Sequence, residues 1–284
     1  MARKIRIEYP GALYHLTSRG NARQSIFIND DDRNAFLSIL DDVILEHQWA
    51  CYAYCLMDNH YHLLIETPEG NLAAGMQRLN SVYSSKFNKR HQRVGHVLQG
   101  RYDARVVEKE SYLLKVARYI VLNPVRADMV QRPDDWFWSS YRQTAGLSSG
   151  RSLLKTDWLL TQFGPDQASA RQNYKDFVAS GEGTESPFGR TQNSLILGGP
   201  EFVEQIGAGQ SSLFCSDGTV ESRYLGRESL EFIFDTAQSK IDRDERIVYA
   251  KIVCGYTIKQ ISSYLALHRT TVSKVLNENR HFTV

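Results

Sequence analysis

One short run of alternating polar and apolar side chains, residues 58–66, constrains the fold of this chain more than any other feature. The run has the sequence DNHYHLLIE. In an extended strand successive side chains point to opposite faces, so His60 and His62 share one face. Two imidazoles on one face converge, and neutral imidazole is a good ligand for divalent metals. The same spacing also fits two partly exposed histidines on an ordinary sheet surface. The histidines alone therefore do not distinguish a metal site from such a surface.

The composition is that of an ordinary globular protein. The chain has 284 residues, of which 42% are hydrophobic and 23% are charged, enough for one large or two modest domains. The formal net charge is only +2, so affinity for a polyanion would have to come from local clustering of charge.

The cysteines and the apolar segments indicate an intracellular protein. Cys51, Cys55, Cys215 and Cys254 have neither the C-x-x-C spacing of a zinc or redox site nor the density of a disulfide scaffold, so we expect reduced thiols. No window approaches the roughly 18 apolar residues of a membrane-spanning helix. We therefore expect no membrane association and a location in the cytoplasm.

The order of the predicted elements indicates an α+β fold. The order is strand, helix, strand, strand, helix, strand, helix, which is the ferredoxin-like split βαβ arrangement, an antiparallel sheet with helices on one side. An RNA-recognition domain shares this architecture, but no run matches its RNP1 pattern. The strands are predicted at residues 11–18, 50–57, 60–66 and 97–107, and the helices after the acidic cap at 29–32 and at 72–87 and 111–122.

The chain divides by composition into three predicted parts: a first domain at 1–146, a mixed helical connector at 147–239, and a helical region at 240–284. The connector includes a Gly- and Ser-rich stretch at 180–190, to which the sequence assigns no role. The last part has two short helical patterns joined by a three-residue break, as in a helix-turn-helix, or alternatively a helical hairpin packed on the first domain. The residues expected to face DNA are Arg269, Thr270, Thr271, Ser273 and Lys274.

A second cluster of functional side chains is predicted on the helix before Pro124. Tyr119 precedes Asn123 by four residues, so the phenol and the amide lie on one helical face. If this helix packs near His60 and His62, two imidazoles and an amide oxygen could hold a divalent cation beside a tyrosine nucleophile. Tyr83 and Tyr112 are rival nucleophiles, but neither has an amide or acid four residues later.

Three motifs in order, LMDNHYHLL, GHVLQGRY and YIVLNPVR, resemble those of the IS200-type transposases, which are single-tyrosine nucleases with a His-hydrophobic-His motif. Within that family the motifs resemble those of the REP-associated tyrosine transposases, and the resemblance covers roughly residues 5–145. It implies that His60, His62 and Asn123 bind Mg²⁺ or Mn²⁺ and that Tyr119 is the nucleophile. It also implies DNA transesterification through a 5′-phosphotyrosine, on single-stranded or REP-like hairpin DNA. A homodimer is compatible with the sequence.

A local excess of positive charge would serve such a substrate. Residues 78–126 contain eleven Lys and Arg against three Asp and Glu, a local charge of +8. Clustered cations suit phosphate contacts, although a charge run is often only a solvated surface. The predicted DNA-binding residues are Arg78, Lys86, Lys89, Arg90, Arg93, Arg101, Arg105, Arg118 and Arg126.

Two other classes of function are the alternatives to this interpretation. A DNA-binding regulator would use the helix-turn-helix and carry a non-essential nuclease site, yet both histidines and Tyr119 are present. A zinc hydrolase or deaminase would need an H-x-E motif with a downstream P-C-x-x-C, and the chain has neither. The transposase interpretation therefore accounts for more of the sequence than either alternative.

Overall fold

The computed structural model describes residues 7–149, 154–188, 195–213, 230–234, 240–252, 256 and 258–278. The described residues group into two compact units, one made of residues 7–203 and the other of the described residues from 204 onward. Residues 154–188 and 195–203 thus belong to the same unit as the predicted first domain. The three-part division made from the sequence stays a prediction.

The first unit is built on a five-stranded mixed sheet. Central strand β1 pairs antiparallel with β3 and with β4, β2 pairs antiparallel with β3, and β5 adds to β4 in parallel, giving the order β2-β3-β1-β4-β5. The strands are β1 (Ala12–Arg19), β2 (Ala50–Leu56), β3 (His60–Thr67), β4 (Asp103–Val107) and β5 (Ile196–Leu197). The predicted α+β class is confirmed.

The three helices predicted for this unit, α1 to α3, begin close to the positions that the sequence indicates. A capping box starts α1, where the Asn29 side chain accepts from the Asp32 backbone N–H and Asp32 accepts from that of Asn29. The helices are α1 (Asp30–His47), α2 (Leu72–Arg90), α3 (Lys109–Val121), α4 (Asn123–Arg126), α5 (Tyr141–Thr144), α6 (Thr156–Thr161) and α7 (Gln167–Ala179), and α8 (Pro200–Leu213) begins in this unit and continues past residue 203.

Helices cover both faces of the sheet, not one as expected. Tyr61 of β3 packs on Phe36 of α1 and donates a hydrogen bond to Asn80 of α2. Leu64, whose side chain points to the opposite face, lies in one buried cluster with Val116 of α3. Because neighbouring residues of a strand alternate in direction, α1 and α2 cover one face and α3 covers the other.

Two boundaries differ from the predicted ones. The strand predicted at 97–107 is regular only from Asp103, and Leu98 makes an isolated bridge to Gly20. Pro124 does end α3, and it also occupies the first turn of α4. A proline is tolerated there because the first N–H groups of a helix have no partner within it.

The second unit contains a small helical bundle. Ile247, Ile261, Val272 and Val275 form its buried core. Arg269, Thr270, Thr271 and Lys274 are exposed and Ser273 is half-buried, so binding of DNA by these residues stays a prediction. The helices are α9 (Leu230–Phe234), α10 (Lys240–Ile252), α11 (Ile258–Tyr264) and α12 (Arg269–Glu278).

Two observations bear on the cysteines and the membrane. Cys51 and Cys55 are free and buried, whereas Cys215 and Cys254 lie outside the described residues. Within the ranges that the structure describes, no helix combines the length and the apolar character needed to cross a bilayer.

Candidate active site

Strand pairing brings three histidines together on the α3 face of the sheet. His60 and His62 have ring centroids 5.0 Å apart. His15 pairs in register with Leu64 and is therefore the diagonal neighbour of His62 on the adjacent strand. His15 Nε2 lies 2.9 Å from His62 Nδ1, and the two rings are parallel within 1°. Sequence reasoning missed His15, since its place beside His62 follows only from the register of β1 against β3.

The turn before β3 is held in place on both sides. The Asp58 carboxylate accepts a 2.5 Å hydrogen bond from Arg33, and the Asp58 carbonyl accepts from the backbone N–H groups of Ile26 and Phe27. Asn59 Oδ1 lies 2.6 Å from His60 Nδ1. The Asp-Asn turn thus fixes the start of β3 and the ring of its first histidine.

The three histidines are kept neutral by their surroundings. Burial, with the nearby Arg105 charge, lowers the pKa of His15 to about 3. Burial and the Arg19 charge lower the pKa of His60 to about 4, against an opposing effect of Asp58. Burial, followed by repulsion from the neighbouring histidines, holds the pKa of His62 well below its usual range. At neutral pH each ring therefore keeps a nitrogen lone pair.

Tyr119 is placed against these histidines by the packing of α3. Buried Val116 and Ile120 fix the helix on the sheet, and Tyr119, on the same helix, remains half-buried. Its ring meets those of His15 and His62 edge-on, with centroids 6.0 and 6.1 Å away. The structure thus brings Tyr119 to the histidine pair.

Asn123 completes the group one turn after Tyr119. Its Nδ2 donates to the Tyr119 carbonyl at 2.9 Å and lies 3.3 Å from that of Ile120. The amide nitrogen is turned toward the helix backbone, so the oxygen is the atom left to serve as a ligand. A cavity of about 420 Å³ is lined by His60, Tyr119 and Asn123, together with Arg126 and residues of 183–186.

The side chains at this cavity suit a divalent cation. Among the described residues no group of three or more His, Cys, Asp or Glu could hold a metal, so a third ligand would have to be of another kind. Two neutral imidazoles and an amide oxygen are donors that divalent cations accept, and of these His60 and Asn123 line the cavity, while the His62 ring lies 5.0 Å from that of His60. His60 and His62 would both bind through Nε2, because each Nδ1 already faces a polar partner.

A segment that the sequence left without a role covers the site. The Phe188 ring stacks on His15 at 4.7 Å and meets Tyr119 edge-on at 5.4 Å. The Arg105 guanidinium lies 4.6 Å from the centroid of the Phe188 ring. Phe188 therefore helps to enclose both His15 and the tyrosine.

Two of the predicted DNA-binding arginines, Arg126 and Arg118, contact residues of α7 and of the segment that follows it. Arg126 lies 4.8 Å above the Tyr119 ring and 3.3 Å from the Thr184 carbonyl. Arg118 contacts the Phe177 carbonyl at 3.2 Å, with its guanidinium 4.3 Å from the Phe177 ring. Both lie on the side of the sheet that carries Tyr119.

The remaining basic residues are distributed around the domain. Helix α2, which carries Arg78, Lys86, Lys89 and Arg90, lies on the sheet face opposite the histidines. Arg78 pairs with Glu46 at 2.8 Å and Arg90 with Asp32 at 3.0 Å, and Arg93 donates to Gln24 at 2.5 Å. Lys86, Lys89 and Arg101 are exposed. The sequence cluster is thus not one patch beside the site.

The rival tyrosines have different surroundings. Tyr83 is buried on the α2 face, and its hydroxyl donates to the Ile26 carbonyl. Tyr112 lies two turns before Tyr119 on α3, about 10 Å along the helix axis. Neither lines the cavity beside His60 and Asn123.

Comparison with known proteins agrees with this geometry. The family model "Transposase IS200 like" matches residues 9–123, which include the two strands and the helix that form the site. This region is an IS200-like transposase domain. The transposase domain is also similar to a REP-associated tyrosine transposase of Haemophilus influenzae, with 26% identity over 144 residues that cover 47% of this chain and 81% of the relative.

Two solved structures show a weaker likeness to this chain. One is a REP-associated tyrosine transposase bound to a REP hairpin, with a TM-score of 0.45 and 17% identity over 56% of this chain and 91% of that one. The other is a Deinococcus radiodurans transposase, with a TM-score of 0.31 and 19% identity over 42% of this chain and 95% of that one. Because both TM-scores are below 0.5, neither structure supports the assignment of residues 9–123, which rests on the family model.

Proposed function

We propose that this protein is a metal-dependent transposase that cleaves and rejoins single-stranded or hairpin DNA with Tyr119 as its nucleophile. The observation that carries the proposal is the meeting of Tyr119, His60 and Asn123 at one cavity within an IS200-like domain. The name of the Haemophilus relative, a REP-associated tyrosine transposase, supports REP-like DNA as the substrate.

The proposed step is a transesterification. The Tyr119 hydroxyl oxygen attacks the scissile phosphorus, the bond to the 3′ oxygen breaks, and the phenol proton goes in net terms to that oxygen. The products are a 5′-phosphotyrosine and a free 3′-hydroxyl, so the phosphodiester is exchanged and no nucleotide cofactor is consumed. Attack by the 3′-hydroxyl of the same or another strand reverses the step.

The protein would supply both position and charge. Arg126 lies close enough to Tyr119 for its guanidinium to stabilise negative charge on the phosphate and on the attacking oxygen. His60, His62 and Asn123 would hold Mg²⁺ or Mn²⁺, which when bound polarises a non-bridging phosphate oxygen. Since the two histidines are neutral at pH 7, binding the ion would require no loss of a proton from them.

Incubation of the full chain with labelled single-stranded hairpins tests the proposal. With Mn²⁺ or Mg²⁺ present we expect a covalent protein–DNA adduct, stable to denaturation, and no adduct in chelator. Tyr112→Phe is the matched control on α3 and should form the adduct normally. Absence of any adduct across a panel of single-stranded and REP-like hairpin DNAs would contradict the proposal and favour a DNA-binding regulator.

A further inference from the structure

The strongest unassigned feature near the site is the buried contact between two imidazoles. His15 Nε2 and His62 Nδ1 are 2.9 Å apart, and both side chains are buried. Two ring nitrogens at this distance share one hydrogen bond, so one of them donates its proton and the other accepts it.

The contacts of His60 indicate which ring nitrogen of that histidine carries the proton. Asn59 Nδ2 donates to the Arg23 carbonyl at 3.2 Å, which turns Asn59 Oδ1 toward His60. An amide oxygen can only accept, so the proton of His60 lies on Nδ1 and its Nε2 keeps a lone pair. If His62 has the same role, it needs the same tautomer and therefore an acceptor at its own Nδ1.

We propose that His15 is a positioning residue that accepts a hydrogen bond from the Nδ1–H of His62 and so keeps the Nε2 of His62 free to bind a divalent cation. The consequence for metal binding rests on the proposed function, whereas the tautomer itself is a property of the metal-free protein. His15 would then carry its own proton on Nδ1.

The surroundings of His15 hold its ring in the orientation that this role requires. Phe188 stacks on one face at 4.7 Å with an interplanar angle of 18°, and Tyr119 meets the ring edge-on at 6.0 Å. With its ring confined in this way, His15 presents Nε2 to His62 in a fixed direction. Partners of this kind commonly fix both the tautomer and the direction of a metal-binding histidine.

Two substitutions separate hydrogen bonding from packing. Gln and Met have similar length and shape, but only the Gln amide offers a strong acceptor near the position of the imidazole Nε2. His15→Gln should therefore retain the acceptor for His62, and His15→Met should lose it. Circular dichroism and thermal unfolding of both variants establish that they are folded.

The test is long-range ¹H–¹⁵N NMR of the histidine rings in the metal-free full chain at pH 7. We expect His62 in the Nδ1–H tautomer in the wild type and in His15→Gln, and loss of this single tautomer in His15→Met. Affinity for Mn²⁺, measured by titration calorimetry, should fall by about 10-fold to 100-fold in His15→Met and by less in His15→Gln.

Two results would overturn the proposal: a wild-type His62 protonated on Nε2, or folded Gln and Met variants with equal losses of metal affinity, which would show that His15 only fills space. The NMR result is independent of DNA cleavage. The expected tautomers without a DNA adduct would therefore support the role of His15 while contradicting the proposed function.

Discussion

The two faces of strand β3 differ in what they do with the same kinds of side chain. On the α1 and α2 face, Tyr61 is fully buried among aromatic rings, and its hydroxyl is satisfied by Asn80. On the α3 face, the adjacent residue His62 contacts a second histidine and the edge of Tyr119. Both faces bury apolar surface and stabilise the fold, and the α3 face in addition gathers neutral bases, a phenol and an arginine beside a cavity. The Tyr61 hydroxyl thus has a partner within the core, whereas the Tyr119 ring lies at the cavity beside the histidines.

The largest expected effect comes from removing one hydroxyl oxygen on each face. Tyr119→Phe should abolish adduct formation with little change in stability, because phenylalanine has no atom that can attack phosphorus. Tyr83→Phe should leave the chemistry intact but cost about 1–2 kcal/mol, since the Ile26 carbonyl loses its buried donor. Adduct assays and urea unfolding measure the two effects. Equal loss of activity in both variants would remove the distinction between the faces.

The next effect in size concerns the candidate metal ligand at the cavity. His60→Ala should reduce adduct formation at a fixed Mn²⁺ concentration by at least about 10-fold, and by less at high Mn²⁺, because a ligand is lost while the nucleophile remains. His47→Ala, at the end of α1, is the control and should behave as the wild type. Full activity of His60→Ala in the presence of chelator would contradict metal dependence at this site.

The prediction of β3 itself required only the sequence. Alternation at 58–66 placed His60 and His62 on one face, and the spacing of Tyr119 and Asn123 placed a phenol and an amide on one helical face. These inferences succeeded because each depends on the local period of one element. The structure brings the two elements together through the apolar side of α3, whose buried residues the same helical period identifies.

Other features depended on contacts between distant parts of the chain. The place of His15 follows from the pairing of β1 with β3, and that of Phe188 from a loop about 170 residues later in the sequence. The sequence did indicate that both faces of the sheet are covered. Leu64 lies on the same face of β3 as the histidines, so residues 58–66 carry apolar side chains on both faces of the strand. Strands of that composition are typical of sheets with both faces buried.

A smaller effect is expected in the dependence of stability on pH. The pKa of His15 is about 3 in the folded protein and near 6.5 when exposed, so below pH 6.5 the unfolded chain takes up a proton that the folded one does not. Stability should therefore fall as the pH drops, by about 2 kcal/mol from this residue between pH 7 and pH 5. Urea unfolding in chelator should show a shallower dependence for His15→Gln than for the wild type. Identical slopes would mean that His15 titrates normally in the folded state.

The smallest predicted change concerns the basic residues on the other face. Lys86→Ala on α2 should lower the salt dependence of hairpin binding by about one phosphate contact, without changing adduct formation at saturating DNA. Fluorescence anisotropy over a range of salt concentrations measures the slope. An unchanged slope would show that this part of α2 is a solvated surface and that the DNA backbone follows the α3 face alone.

The most direct test of the central claim is to locate the DNA on the protein. The wild-type adduct formed with a cleaved hairpin is digested with protease and nuclease, and the modified peptide is sequenced by mass spectrometry. The account predicts a nucleotide linked through its 5′-phosphate to Tyr119, on the face that carries the histidines. A nucleotide on Tyr83 or Tyr112 would contradict that assignment.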